Sequence, residues 1–227
     1  MFSFLRNIFK KRAIYLDFAS LTPIDKGVLK VMEKYSDEYY GNPSSIYSLG
    51  QNSKKVIIES KKKIADLIKA HSDEIYFTSS GTESNNIAIV GTFLKLKDIG
   101  IDISGKNIVI SSIEHSSVIE TALSLKAYGV EVRLIKVDEN GIVDLKQIEK
   151  SIDQNTILVS IMAVNNEIGS IEPINEIAKI IRHKRKEYAH VYPYFHTDAC
   201  QAIYTDINVI KLGIDMMTLD SHKLYGP

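Results

Sequence analysis

The sequence contains one cysteine, carries no net charge, and nowhere strings together enough apolar residues to cross a bilayer. Each shortage excludes something. A lone cysteine, Cys200, has no partner for an internal disulfide and suits a reducing compartment, so the expected setting is cytoplasmic. Lys+Arg 28 balances Asp+Glu 28, which leaves no basic footprint for direct contact with nucleic acid. A membrane span needs about 18–20 apolar residues in a row, and no stretch supplies them, so no membrane partner is expected. No Pro/Gly/Ser-rich linker, internal repeat or low-complexity tract divides the chain.

What remains is an ordinary globular composition: 227 residues, 44% hydrophobic and 25% charged. A chain of this length buries roughly 70% of its unfolded surface, enough for a proper core. Residues 1–13 read as an N-terminal arm. The stretch Met1 to Arg12 carries four basic residues and no acid, but its main charge cluster follows the apolar residues instead of preceding them. That order speaks against a signal peptide and for a short amphipathic helix or frayed arm. Residues 14–227 read as one domain, with a non-sheet lead-in up to about residue 50.

Periodicity predicts strands at 14–16, 74–78, 107–111, 130–135, 156–161, 191–196 and 215–219. It predicts helices over 25–40, 53–70, 83–97, 116–128, 144–151 and 174–188. The lysines of the second helix read as a solvated face. From residue 74 onward strand and helix alternate, which argues an α/β fold with a mostly parallel sheet. Ligands of such sheets bind beyond the carboxyl ends of the strands.

Five short segments at those predicted strand ends carry chemistry. Thr78 to Asn86 (TSSGTESNN) leads into a helix; Gly81 permits close backbone approach, and the helix start offers free amides to a phosphate. Plain capping by Thr82 is the alternative use. His196, Asp198 and Cys200 alternate on one face of a predicted strand end. A metal site there lacks a fourth ligand and the usual spacing. A buried carboxylate that holds a protonated ring nitrogen is the other functional use, and a satisfied strand-end Asp the bland one. Lys223 follows an apolar strand, where desolvation can make an amine a Schiff-base nucleophile; a surface loop lysine is the alternative. Asn165 and Asn166 suit either a ligand oxygen or a turn. His115, after Glu114, can cap a loop, stack on a ring or move a proton. Together these groups match what pyridoxal 5′-phosphate needs: a phosphate cradle, a carboxylate for the ring nitrogen, an amide, a stacking His and a lysine.

On these motifs the chain resembles the cysteine desulfurases, class-V aminotransferase-like enzymes of pyridoxal-phosphate fold type I. The resemblance runs from about Ile14 to Pro227. It is carried by Tyr15-Leu16-Asp17-Phe18-Ala19 with Thr22-Pro23, Gly41-Asn42-Pro43-Ser44-Ser45, Phe77 to Asn86, Glu114-His115, Asn140 to Leu145, Thr156 to Gly169, Asp198-Ala199-Cys200-Gln201 and Ser221 to Pro227. It implies the large domain of that fold, without the C-terminal small domain. It implies that Lys223 binds the cofactor covalently and shuttles a proton. Asp198 would pair with the pyridinium nitrogen, and His115 would stack on the ring. Asn166 and Gln201 would hydrogen-bond its phenolate side, while Gly81, Thr82, Ser221 and His222 would hold the phosphate. The implied activity converts L-cysteine to L-alanine and a persulfide, passed to sulfur-acceptor proteins for iron–sulfur clusters or tRNA thiolation, in a homodimer.

The chain departs from that family at several points. Asp220 stands near the phosphate where a small or hydroxyl residue is usual, and a carboxylate there repels phosphate unless it turns away or pairs with a cation. Tyr47 replaces a usual His. The persulfide-forming Cys and the substrate-binding Arg of the family lie downstream of the lysine and are not in this sequence. Cys200, beside Asp198, reads as a packing residue, and the chain is expected to be a fragment unable to complete desulfuration. A related class-V lyase or aminotransferase, such as a selenocysteine lyase, and a non-catalytic subunit of the same fold are the competing readings.

Overall fold

The computed structural model describes residues 14–202 and 205–227. The N-terminal arm predicted over residues 1–13 lies outside them. Five parallel strands form one sheet: β1 (Asn107–Ser111), β2 (Glu131–Ile135), β3 (Thr156–Ser160), β4 (Tyr194–Asp198) and β5 (Met216–Thr218). Their order is β2-β1-β3-β4-β5. The helices are α1 (Lys26–Glu38), α2 (Ser48–Ile68), α3 (Gly81–Asp98), α4 (Ser116–Ser124), α5 (Leu145–Ser151), α6 (Ile174–Glu187) and the short α7 (Val209–Leu212).

The sheet is covered on both faces, which is why β1 and β3 are apolar along most of their length and buried throughout. Alternate side chains of β1 feed two cores. Ile108 and Ile110 pack with Ile89 and Phe93 of α3 and Val118 of α4. Val109 packs on the opposite face with Ile148 of α5 and Ile177 and Ile181 of α6. Local signals set the helix ends. Ser80 caps α3 through a bond from the Glu83 amide, and Lys95 and Lys97 oppose the dipole in its last turn. Asp25 and Asp144 cap α1 and α5 in the same way. The turn after Tyr128 needs Gly129: it sits at φ +79, and a Cβ there would lie 2.8 Å from Ser104 Oγ.

Several sequence expectations shift. Residues 14–16 and 74–78 form no strand. Ile14 and Leu16 are more than four-fifths exposed, and Tyr76 and Phe77 are exposed as well. With no neighbouring strand to receive their amides, an apolar or β-prone run stays irregular. Segment 74–78 instead follows a 3₁₀ turn at Ser72–Glu74, with Ile75 alone tucked into a small core with Ala65 and Ile68. Helix α2 begins five residues before its predicted start. The predicted 116–128 helix tightens into a 3₁₀ turn over Leu125–Tyr128. Strand β4 runs later than the predicted 191–196, so His196 lies inside the strand and Asp198 is its last residue.

The lead-in is tied to the far end of the chain. Thr22 Oγ1 donates to the His222 carbonyl at 2.8 Å and accepts from the Tyr225 amide at 2.7 Å. The Thr22 amide bonds the same His222 carbonyl, and the Asp25 amide bonds Tyr225. These contacts tie the loop that follows β5 to the lead-in.

Candidate active site

A cleft of about 390 Å³ opens at the carboxyl ends of the strands. Its lining comes from the segments that follow β1, β3, β4 and β5, on the edge that open α/β sheets use for ligands. Gly81, Thr82, His115, Asn166, Asp198, Gln201, His222 and Lys223 all line it. Residues separated by up to 142 positions in sequence are thus gathered by five connections. Ser221 is the exception. It is exposed, does not line the cleft, and its hydroxyl donates to the Pro227 carbonyl.

The anion cradle is built by α3. Because Ser80, not Thr82, is the cap, the helix starts at Gly81. The amides of Gly81 and Thr82 then fall in the first turn, where no intrahelical acceptor exists. Glu83 turns back and takes the amide and hydroxyl of Ser79, which holds its carboxylate below the usual range through those two bonds. A side chain at Gly81 would be crowded: a Cβ would lie 3.1 Å from Cys200 Sγ and 3.2 Å from Asp220 Oδ2.

Asp198 closes the floor. It is buried at the end of β4, where Oδ1 accepts from the Cys200 amide at 3.0 Å and Oδ2 from Asn85 Nδ2 at 2.8 Å. Asn85 Nδ2 also donates to Ser117 Oγ at 2.8 Å. The Ser117 hydroxyl and amide meet His115 Nδ1 at 2.8 and 3.2 Å. The amide can only donate, so Nδ1 accepts and the neutral ring carries its proton on Nε2. An unbroken chain of hydrogen bonds therefore joins Asp198 to His115. Beneath Asp198, both nitrogens of His196 are taken by hydroxyls, Ser160 Oγ at 2.8 Å and Thr218 Oγ1 at 3.1 Å. Burial drives His196 down to about 4, so it is neutral near pH 7. The alternating His196, Asp198 and Cys200 are thus committed separately, and His196 is a strut of the sheet. The buried Cys200 thiol is pushed strongly up by burial and by the Asp198 and Asp220 charges, so it stays protonated.

The two asparagines divide the work that their sequence left open. Asn165 makes the turn, accepting from the amides of Glu167 and Ile168 and donating to the Ile113 carbonyl. Asn166 is left to line the cleft. Gln201 also lines it, but one amide hydrogen is committed to the Ala19 carbonyl at 2.8 Å. Lys223 is half-buried on the cleft wall.

Two residues inside the quoted motifs were given no role of their own from the sequence. Asn85 sits on the buried stripe of α3 with Ile89, Phe93 and Leu96; a polar residue on an apolar stripe was the available signal. Glu114 is fully buried, accepts from Ser111 Oγ and the Met162 amide, and leaves Oε2 without a partner. Burial raises it to about 8, helped by the charges of Asp198 and Glu172. It therefore pins the end of β1 to the end of β3 as a neutral acid, directly before His115.

The sequence profile of the class-V aminotransferases matches residues 14–227. The chain belongs to the class-V aminotransferase family. Among curated members of this family, it is 45% identical over 218 residues to the cysteine desulfurase IscS of Dictyoglomus turgidum, covering 96% of this chain and 52% of that protein. It is 44% identical to the cysteine desulfurase IscS of Methanosarcina thermophila, over 96% of this chain and 51% of that protein. Among solved structures, a NifS-like protein superposes with a TM-score of 0.86 at 33% identity, over 94% of this chain and 56% of that one. SspA in complex with cysteine superposes with a TM-score of 0.83 at 35% identity, over 95% and 59%. The chain spans about half the length of the curated relatives it matches.

Proposed function

We infer that this class-V chain is the cofactor-binding half of a pyridoxal 5′-phosphate enzyme acting on L-cysteine, a cysteine desulfurase. The observation that carries this reading is the convergence, in one cleft, of an ionisable carboxylate, a lysine and the uncommitted amides of a helix start. That donor set fits the cofactor. The Gly81 and Thr82 amides and His222 meet the phosphate, Asp198 meets the protonated ring nitrogen, and Asn166 and the second Gln201 amide hydrogen meet the ring oxygen. When bound, the cofactor withdraws electrons from the bonds of the amino acid it carries.

The protein's own groups do the rest. Asn85 and the Cys200 amide both donate to Asp198 and hold its carboxylate in place. His115, held through Nδ1, offers its ring face and Nε2–H to the cleft. Lys223 Nζ is the amine that anchors the cofactor's aldehyde and moves the substrate's α-proton. Sulfur transfer needs an accessible, ionisable thiol. Cys200 is neither, so it is not the sulfur carrier, and residues 14–227 are proposed as the large domain alone.

The relatives named IscS favour a desulfurase over other class-V lyases. Sulfur-acceptor proteins as partners and a cytoplasmic setting follow from the same likeness; no helix among the described residues is long and apolar enough to cross a membrane. A homodimer is favoured by the apolar side chains that α1 and α2 leave exposed, among them Leu29, Val31, Ile57 and Leu67. The test is spectroscopic titration with pyridoxal 5′-phosphate followed by an assay of alanine and sulfide. The protein is expected to bind the cofactor saturably and to release no sulfide in repeated turnover by itself. Failure to bind the cofactor overturns the cofactor assignment, and robust sulfide release overturns the role given to Cys200.

A further inference from the structure

Thr22 lies 200 positions before His222 in sequence, yet it grips the turn that carries Lys223 on both sides. Its hydroxyl and its amide both donate to the His222 carbonyl, at 2.8 and 3.0 Å. That carbonyl belongs to the peptide plane that enters Lys223. Beyond the lysine, the Tyr225 amide donates to Thr22 Oγ1 at 2.7 Å, and the Tyr225 carbonyl accepts from the Asp25 amide at 2.9 Å. Tyr225 needs that support. Its φ of 59 lies in the left-handed region, which a non-glycine residue keeps only where its surroundings hold it. Thr22 is 5% exposed, and its hydroxyl is used both as donor and as acceptor. Pro23 steers the Thr22 backbone away from helical values, which presets the clamp. Thr22 itself does not line the cleft, whereas Lys223 does.

We propose that Thr22 is the positioning residue of Lys223: it fixes the peptide before the lysine and the residue two beyond it, and so holds Nζ in register for its covalent link. This assignment rests on the role given to Lys223 in the proposed function. There Lys223 Nζ condenses with the cofactor's aldehyde carbon; a C=N bond replaces C=O, and the oxygen leaves as water with the two amine hydrogens. Only this step needs the lysine in register. The Gly81 and Thr82 amides, Asp198 and Asn166 stand on other segments and hold the rest of the cofactor without Thr22. Thr22→Val removes the hydroxyl and keeps the amide. The His222 carbonyl then stays gripped, while the Tyr225 amide loses its acceptor. Non-covalent binding should survive and the link should weaken, a separation that a general loss of stability does not produce.

The probes are pyridoxal 5′-phosphate and 4′-deoxypyridoxine 5′-phosphate, which has no aldehyde and cannot link. The affinity of the full chain for each is measured by equilibrium dialysis, and the ratio of the two reports the link alone. Thr22→Val should bind the deoxy compound within about twofold of wild type. Its ratio should fall about tenfold or more, because losing a buried bond leaves only a fraction of the protein with the lysine in register. Thr22→Ser keeps the hydroxyl and should keep the wild-type ratio. In the wild type the coupling runs both ways, so pyridoxal 5′-phosphate should slow exchange of the Thr22 and Tyr225 amides about tenfold more than the deoxy compound does. Equal exchange with the two ligands overturns the inference, even if Thr22→Val fails to fold. So does a wild-type ratio in folded Thr22→Val, or a ratio lost in Thr22→Ser. If the wild type binds both compounds equally, Lys223 makes no link; the proposed function then fails at its lysine and the inference falls with it, an outcome distinct from the others.

Discussion

Glu114 offers a test of the site's electrostatics that needs no cofactor. Its carboxyl is fully buried, and burial is the first cause of its rise from 4.5 to about 8. Between those values the unfolded chain has lost the proton while the folded chain keeps it. The native state then binds more protons, so stability falls as pH rises through this window. Each unit costs about 1.4 kcal/mol, or about 5 kcal/mol across the whole interval. Glu114→Gln keeps the acceptor that takes Ser111 Oγ and the Met162 amide. It also places a donor where the neutral acid carries its own, at the unpartnered Oε2. The variant has nothing to titrate. Urea unfolding of both proteins between about pH 5 and 8 should therefore give curves that diverge. The variant should be close to wild type at the acid end, and should gain on it by about 1.4 kcal/mol per unit until about pH 8. Parallel curves would refute the reasoning, because Glu114 would then be ionised in the folded protein or reached by water.

Other consequences can be measured on the same protein. Asn85→Ala removes the donor to the Asp198 carboxylate and the link to Ser117. A bond to a charged group is worth about 1.5–3 kcal/mol, so cofactor affinity should weaken by at least about tenfold in a spectroscopic titration. Unchanged affinity would remove Asn85 from the site. Thr22→Val leaves the Tyr225 amide without its acceptor and should cost about 1–3 kcal/mol in urea unfolding, with the loop after β5 losing amide-exchange protection first. Cys200 should resist a thiol-specific reagent in the folded state and react fully in denaturant; rapid labelling of native protein would contradict its assignment as a buried, protonated thiol.

Much of this site was legible in the sequence because each motif sits at a chain reversal, where side-chain chemistry and backbone geometry are set locally. The Ser80-Gly81-Thr82 helix start and the Asn165-Asn166 turn are of this kind. What was not legible depends on partners far away in the chain. Residues 74–78 have the pattern of a strand, but no neighbour offers them a ladder. Residues 191–196 carried the strand pattern but not its bounds, because the hydroxyls that receive His196 belong to β3 and β5. Asn85 and Glu114 gained their roles only when Asp198 and Met162 were brought to them. Ser221 fits the motif pattern, and its hydroxyl donates to the Pro227 carbonyl. Asp220 shows the reverse case: the sequence raised the conflict with phosphate, and only the structure places the carboxylate beside His222, with Oδ1 2.7 Å from Nδ1.

The central claim is that Lys223 is the amine that holds pyridoxal 5′-phosphate in a cleft floored by Asp198. Incubating the protein with the cofactor, reducing with borohydride and mapping the modified peptide tests it most directly. The account predicts one stable adduct on Lys223, lost in Lys223→Ala. No adduct in folded protein, or adducts scattered over the exposed lysines of α2, would contradict it.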